Sequence, residues 1–142
     1  MQKTAVIYWS GGGNTEAMAG AVAEGLKASG AEAELYSVSG LSPSDAAAFD
    51  KLALGCPAMG DEVLEESEFQ PFFDALSPSL SGKKLVLFGS YDWGDGQWIR
   101  DWAEQVKGLG AILAADPLPI NLTPDEEGLS QCRALGEALA KA

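Results

Sequence analysis

Short β-branched and apolar segments alternate with stretches of helical periodicity along this chain, and the alternation limits the folds open to it. Strands are predicted over residues 4–9, 33–38, 51–56 and 85–88, with a fifth that begins at 111–115 and continues past Pro117 to Ile120. Helical spacing separates them, as where Met18, Val22 and Leu26 fall four residues apart. Strands joined by helices pair in parallel and are covered on both faces. We therefore predict an α/β fold with one five-stranded parallel sheet, whose ligands bind beyond the carboxyl ends of the strands.

Length and composition indicate one domain over residues 1–142. Hydrophobic residues make up 46% of the chain, which is enough for a single core. Membrane spans need roughly 20 consecutive apolar residues, and the sequence has no such run. The first residues lead directly into a predicted strand without a signal peptide, so we expect a cytoplasmic protein that does not bind membranes.

The net charge of −12 constrains the partners of this chain. Nucleic acids and anionic membranes are bound by clustered lysines and arginines, so we expect neither as a partner. An acidic surface favours partner proteins with basic docking patches and fast, salt-sensitive association. The alternative is that many of the individual carboxylates serve only solubility.

The segment that follows the first strand, here called the glycine loop, combines three glycines with hydroxyl and amide side chains. It consists of Ser10, Gly11, Gly12, Gly13, Asn14 and Thr15. Glycines let backbone N–H groups turn toward an anion, and the helix that follows adds its own free N–H groups. Ser10, Asn14 and Thr15 offer side-chain donors as well. The loop predicts a phosphate site without positive side chains, with a simple β-turn and helix cap as the alternative.

Two more specific phosphate motifs are excluded, so the glycine loop suits a single phosphate. The dinucleotide pattern G-x-G-x-x-G needs a glycine where Glu16 stands, and Gly82-Lys83-Lys84 lacks the upstream glycine and the hydroxyl of a nucleotide P-loop. The chain has no histidine, and its two cysteines, Cys56 and Cys132, are expected to be buried thiols. A bound cofactor is therefore the expected source of any chemistry.

Loops after the third and fourth strands carry sulfur-containing, aromatic and acidic side chains. The first, here called the acidic loop (residues 57–66), contains Met59, and the second contains Trp93. Trp98 and Trp102 recur at helical spacing and are predicted to lie in the core. Trp93 belongs to no predicted strand or helix, so we predict that it stacks on a flat ligand.

Three motifs in these loops together resemble the short-chain bacterial flavodoxins of clostridial type. They are Ser10-Gly11-Gly12-Gly13-Asn14-Thr15, Met59-Gly60-Asp61-Glu62 and Tyr91-Asp92-Trp93-Gly94-Asp95-Gly96, each after the appropriate strand. The resemblance covers nearly the whole chain, and the span 111–121 leaves no room for the insertion of long-chain members. It implies a flavodoxin-like three-layer sandwich with sheet order 2-1-3-4-5, one non-covalent FMN and one-electron transfer at low potential in place of ferredoxin. It further implies a monomeric carrier rather than an enzyme, with ferredoxin-dependent oxidoreductases as partners.

The resemblance also assigns the FMN site residue by residue. The glycine loop is expected to surround the phosphate, and Met59 and Trp93 to lie on opposite faces of the isoalloxazine ring. The C=O of Gly60 is expected to accept a hydrogen bond from N5–H of the semiquinone once the Gly60–Asp61 peptide turns over, and Glu62 to bind N3–H. The full set of expected FMN contacts is Ser10, Gly11, Gly12, Gly13, Asn14, Thr15, Pro57, Ala58, Met59, Gly60, Asp61, Glu62, Ser90, Tyr91, Asp92, Trp93, Gly94, Asp95 and Asn121.

Three positions depart from the family pattern. Gly12 stands where the family has Thr, and Pro57 where clostridial members commonly have Ser, so two hydroxyls near the phosphate are missing. Asp92 replaces Gly in the third motif and is expected to lower the hydroquinone potential. Negative charge near the ring is expected to lower the second reduction potential and stabilise the semiquinone. The carboxylates expected to contribute are Asp61, Glu62, Glu65, Glu66, Asp92 and Asp95.

Other proteins of similar architecture fit this sequence less well. A response-regulator receiver needs an Asp at the end of the third strand, where Cys56 stands, and a low-molecular-weight phosphatase needs C-x-x-x-x-x-R, which does not begin at Cys56. An FMN-dependent reductase or ribonucleotide-reductase activator of flavodoxin type is the remaining alternative. Such enzymes need an open pocket over the ring, whereas Met59 and Trp93 are expected to cover it.

Overall fold

One parallel sheet organises the residues that the computed structural model describes, which are 3–59 and 63–142. Its strands are β1 (Lys3–Tyr8), β2 (Glu32–Ser37), β3 (Lys51–Gly55), β4 (Lys84–Tyr91), β5 (Ile112–Leu113) and β6 (Leu118–Asn121). The helices are α1 (Asn14–Ala28), α2 (Pro43–Ala46), α3 (Phe69–Leu76), α4 (Gln97–Gly108) and α5 (Glu126–Lys141). The strand order is β2-β1-β3-β4-β5, with β6 also paired to β4, which confirms the predicted α/β fold and sheet order.

The fifth strand differs from the prediction because it is interrupted. β5 pairs with the start of β4, and β6 pairs with its end, residues 88–91. Between the two the chain leaves the ladder, although the N–H of Ala114 still donates to the carbonyl of Leu85 over 2.8 Å. Pro117 has no N–H to offer to β4, so a regular ladder cannot continue through it.

Alternate residues of each strand face opposite layers of helices, which makes the fold a three-layer sandwich. On one face, Val6 and Val86 pack with α1 and α5; on the other, Ile7 and Leu87 pack with α3 and α4. All of β3 is buried, and so are the apolar residues at the centre of β4. Within the described ranges, no helix has the length and apolar character needed to cross a lipid bilayer.

Trp98 and Trp102 lie in the core as predicted, each 2% exposed. Trp102 meets the rings of Phe69 and Phe73 edge-on, at centroid distances of 5.5 and 5.9 Å. Nε1 of Trp98 donates to the carbonyl of Cys56 over 3.1 Å, just beyond β3. This hydrogen bond fixes the chain at the point where the acidic loop begins.

Both cysteines are buried free thiols, as predicted. Burial raises the pKa of Cys56 to about 12, and it raises the pKa of Cys132 to about 12 as well. Both thiols are therefore protonated at neutral pH. Protonated thiols are poor nucleophiles and poor metal ligands, so neither cysteine supplies the chemistry of the site.

Helices α1 and α5 cross with their backbones in direct contact. A Cβ added at Gly136 in α5 would lie 2.1 Å from the carbonyl oxygen of Val22, and one added at Gly25 in α1 would lie 2.0 Å from that of Arg133. Close approach of the two helices therefore requires glycine at both positions. Gly20, also in α1, has no atom within 4 Å of the place a Cβ would take.

The seven lysines all lie at the amino edge of the sheet, where strands begin and helices end. The nine basic residues also include two arginines, which lie elsewhere. The lysines are Lys3, Lys51, Lys83 and Lys84 at or beside the starts of strands, and Lys27, Lys107 and Lys141 in the last turns of helices. Nζ of Lys51 donates to the carbonyl of Ala140 near the end of α5 over 3.0 Å. Positive side chains near helix ends stabilise the free carbonyl groups there.

Candidate functional site

A cleft of about 280 Å³ opens at the carboxyl edge of the sheet, where the predicted site loops meet. Its walls come from the end of β4 and from the loops that follow β1, β3, β4 and β6. They are formed by Trp9, Gly11, Gly12, Asn14, Pro57, Ala58, Met59, Ser90, Tyr91, Asp92 and Leu122. The topology thus brings together parts of all three sequence motifs. None of these described wall residues is a lysine or an arginine.

The glycine loop joins the end of β1 to the start of α1. Gly13 precedes α1 with a φ of 94°, in the left-handed region that favours glycine. Its N–H donates to Oγ of Ser10 over 3.1 Å, so the Ser10 hydroxyl accepts within the loop and keeps its own hydrogen for another acceptor. The first N–H groups of α1 have no partners within the helix. The loop and α1 therefore present hydrogen-bond donors and the positive helix end to an anion.

Thr15 and Ser90 connect the start of α1 to the end of β4. Thr15 is 1% exposed, and its Oγ1 lies 3.1 Å from Oγ of Ser90. The N–H of Ser90 also points to Oγ1 of Thr15, at 3.4 Å. Either hydroxyl can donate to the other, so one hydroxyl hydrogen is used between the two segments. Ser90 lines the cleft, whereas Thr15 lies behind it and binds Ser90. Contact of either residue with FMN stays a prediction.

The acidic loop turns back on itself beside the cleft. Met59 and Val63 exchange two backbone hydrogen bonds of 2.8 and 2.9 Å. This turn places Met59, which is 37% exposed, in the wall of the cleft. Gly60, Asp61 and Glu62, which the resemblance assigns to the ring, lie outside the described residues.

The loop between β4 and α4 holds Trp93 away from the core, as predicted, and its side chain is 57% exposed. It follows Asp92, which lines the cleft, but Trp93 is not one of the residues that form the walls. Gly94, with a φ of 89°, turns the chain, and Asp95 pairs with Arg100 of α4 over 3.0 Å. The stacking of Trp93 on a flat ring stays a prediction.

The carbonyl of Tyr91 holds the loop after β6 against the cleft. It accepts a hydrogen bond from the N–H of Leu122 over 2.7 Å and from Nδ2 of Asn121 over 3.2 Å. Leu122 is 52% exposed and has a φ of 59°, a left-handed conformation that is costly for a branched side chain. Leu122 was not predicted as a site residue, because no neighbouring residue signals a positive φ. Trp9 was not predicted either, although its position just before the glycine loop indicates that it lies near the site.

The carboxylate of Glu65 is bound to the start of α3, and its expected effect on the reduction potential of the ring stays a prediction. It is 5% exposed, and its Oε1 accepts from the N–H groups of Glu68 and Phe69 over 2.7 and 2.9 Å. Its Oε2 accepts from the N–H and the hydroxyl of Ser67. Burial acts to raise the pKa of Glu65, but these hydrogen bonds outweigh it and hold the pKa below its ordinary value of 4.5. Glu65 thus caps α3 as a carboxylate.

We expect Glu65→Gln to lower the free energy of unfolding by about 2 kcal/mol at neutral pH, because the amide sets a donor against backbone donors. The folded-state pKa of Glu65 is lowered, so its stabilisation is complete above about pH 4.5 and is lost as the pH falls through the lower folded value. Urea unfolding of both proteins at neutral pH and near pH 3 should show the difference shrinking in acid. Glu66→Gln, at an exposed neighbour, should change stability by less than about 0.5 kcal/mol. A difference that is equal at both pH values would contradict the capping role.

Comparisons with known proteins agree with this fold. A family model described as Flavodoxin matches residues 6–136. The flavodoxin of Clostridium beijerinckii is 47% identical over 135 residues, which cover 95% of this chain and 97% of that protein. The flavodoxin of Megasphaera elsdenii is 45% identical over 96% of this chain and 98% of that protein. The solution structure of two-electron reduced Megasphaera elsdenii flavodoxin matches with a TM-score of 0.87, at 42% identity over 98% of this chain and 99% of that one. The chain therefore belongs to the flavodoxin family, whose members are small FMN-carrying electron-transfer proteins rather than enzymes.

Proposed function

We propose that the cleft at the carboxyl edge holds FMN, with the phosphate on the glycine loop and the ring against Met59. One observation carries this proposal. The start of α1, reached through Gly13 at a φ of 94°, lies at the same cleft as the exposed apolar side chains of Met59 and Leu122. Anion-binding donors at one place and apolar surface beside them fit a phosphorylated flat ring.

FMN bound in this cleft would accept and release single electrons, and the chain would control how it is held. Ser10 would donate its free hydroxyl hydrogen to the phosphate, together with backbone N–H groups of the glycine loop. Met59 and Trp93 would exclude water from the two ring faces, as the resemblance implies. The carboxylate of Asp92, in the wall of the cleft, would disfavour added negative charge on the ring.

The surface around the cleft supports docking to partners with basic patches, such as ferredoxin-dependent oxidoreductases. Asp92, Trp93 and Leu122 are exposed around the cleft, so an electron could leave through this face. The net charge is −12, and the lysines lie at the opposite edge of the sheet. Carboxylates around the cleft would therefore attract a positively charged partner surface. We place this carrier in the cytoplasm as a monomer.

Changing the ionic strength distinguishes the two parts of this proposal, which are FMN binding in the cleft and docking of a basic partner protein. FMN carries an anionic phosphate and meets an acidic protein, so raising the salt from about 10 to 200 mM should tighten FMN binding by about threefold. Electron transfer with a ferredoxin–NADP-type reductase should slow by about tenfold over the same range, because the attraction between opposite charges is screened. Flavin fluorescence measures the first quantity, and stopped-flow absorbance measures the second.

Two matched variants locate the docking face, since each removes one carboxylate charge. Asp92→Asn, in the wall of the cleft, should lower the association rate by about twofold at low salt. Glu32→Gln, at the start of β2 on the amino edge, should leave it unchanged. If the two variants change the association rate equally, docking does not use the cleft face. That result would leave the proposal that the cleft binds FMN intact.

A further inference from the structure

Trp9 connects the glycine loop to the start of α3, which lies 59 residues further along the chain. Its indole Nε1 donates to Oε1 of Glu68 over 3.0 Å. The opposite end of the ring lies against Gly11, where an added Cβ would come within 3.0 Å of Cη2 and 3.3 Å of Cζ3. Trp9 also forms part of the wall of the cleft. One ring thus touches the loop at one end and is held by a carboxylate at the other.

Glu68 occupies the cap position of α3 but does not cap that helix with its side chain. The capping is done by Glu65, whose Oε1 accepts from the N–H of Glu68 over 2.7 Å and so fixes its backbone. The carboxylate of Glu68 is therefore free to hold Trp9. Glutamate is not among the residues favoured as helix caps, and Glu65 already binds the N–H groups of Glu68 and Phe69, so the Glu68 side chain is available to the indole of Trp9.

The ring has space to move if it is not held. A second pocket, of about 260 Å³, lies next to Trp9. Its other lining residues are Tyr8, Ser10, Glu16, Ser37, Val38, Ser39 and Glu68. The glycine loop has three adjacent glycines, and such a chain has many accessible conformations. Contact with a fixed ring limits those conformations before a ligand arrives, which lowers the ordering cost of binding.

We propose that Glu68 is a positioning residue for the FMN phosphate, acting through Trp9 to hold the glycine loop in its binding conformation. The inference rests on the proposed function of that loop. Charge alone predicts the opposite effect, because a carboxylate near the loop repels a phosphate. Charge repulsion and the hydrogen bond to Trp9 can therefore be distinguished by two substitutions of Glu68. One removes the charge and keeps a hydrogen-bond acceptor, and the other removes both.

The test measures FMN and riboflavin affinities of the apo-protein by flavin fluorescence, for the wild type, Glu68→Ala, Glu68→Gln and Trp9→Phe. Losing one hydrogen bond should make Glu68→Ala bind FMN about fivefold more weakly, with riboflavin affinity within about twofold of the wild type. Glu68→Gln keeps an acceptor and removes the charge, so it should bind FMN at least as tightly as the wild type. Trp9→Phe removes both the Nε1–H donor and the Cη2–Cζ3 edge that lies against Gly11, so it should weaken FMN binding at least as much as Glu68→Ala. Adding Glu68→Ala to Trp9→Phe should weaken FMN binding no further.

Glu66→Ala is the control, since it removes an exposed carboxylate two residues earlier and should leave FMN affinity within about twofold of the wild type. Equal FMN affinities for Glu68→Ala and Glu68→Gln would overturn the proposal, and so would an equal loss of FMN and riboflavin binding. If Glu68→Ala does not fold, the FMN and riboflavin affinities of Trp9→Phe are compared with those of the wild type instead, since this substitution leaves the residues of α3 unchanged. A wild type that binds riboflavin as tightly as FMN would instead refute the phosphate role of the glycine loop.

Discussion

Replacing Gly136 by alanine is expected to lower the free energy of unfolding by about 3 kcal/mol, and the unfolding temperature by roughly 10 °C. The added Cβ would lie 2.1 Å from the backbone oxygen of Val22 and 3.0 Å from the nitrogen of Leu26. A backbone carbonyl cannot move aside as a flexible side chain can, so α1 and α5 must separate along the layer that covers one face of the sheet. Thermal and urea unfolding at a fixed FMN concentration measure the effect, because bound FMN itself adds stability.

Two further substitutions test whether backbone contact between α1 and α5 causes this loss of stability. Gly25→Ala, on the other side of the same crossing, would place its Cβ 2.0 Å from the carbonyl oxygen of Arg133 and should be similarly destabilising. Gly20→Ala, also in α1 but with open space around it, should stabilise the protein by about 0.5 kcal/mol because alanine favours a helix. If Gly20→Ala and Gly136→Ala shift the free energy of unfolding in the same direction, contact between the backbones of α1 and α5 is not the reason that glycine is needed at Gly136.

Riboflavin, which lacks the phosphate of FMN, is expected to bind the apo-protein about a hundredfold more weakly than FMN. The glycine loop and the start of α1 offer several donors to a phosphate, and three net hydrogen bonds of about 1 kcal/mol each account for a ratio of this size. No lysine or arginine is among the described wall residues, so the preference must come from N–H and hydroxyl groups. Flavin fluorescence titrations with each ligand give the two dissociation constants.

Ser10→Ala is expected to reduce the preference for FMN over riboflavin by about fivefold. The substitution removes a donor to the phosphate and also the acceptor that Gly13 N–H uses over 3.1 Å. Ser29→Ala, at the other end of α1, should leave the preference unchanged. Similar affinities of the wild type for the two flavins would mean that the glycine loop is only a turn and a helix cap.

Periodicity predicted the fold well because each element buries a regular face. Trp98 and Trp102 recur at helical spacing and are buried, whereas Trp93 follows no period and is exposed. The break between β5 and β6 was not predicted, although Pro117 marks it, because the apolar pattern continues on both sides of the proline.

The site was only partly predictable because several of its contacts join residues that are distant in sequence. The glycine loop and Met59 are recognisable as local motifs, and they line one cleft. By contrast, Glu65 lies in an acidic segment whose sequence resembles that of a solvent-exposed loop. Only its hydrogen bonds to the start of α3 show that it caps this helix. The hydrogen bond between Trp9 and Glu68 and the positive φ of Leu122 depend on tertiary packing, which a sequence pattern does not record.

The separation of the lysines from the cleft affects how the molecule is oriented when it approaches a positively charged surface. With seven lysines at one end of the sheet and carboxylates such as Asp92 at the other, we expect the protein to have a dipole moment along its strands. Its net charge draws it toward a positive surface, and the torque on the dipole rotates it so that the cleft arrives first. On an amine-coated electrode, this protein should therefore adsorb with the cleft facing the metal.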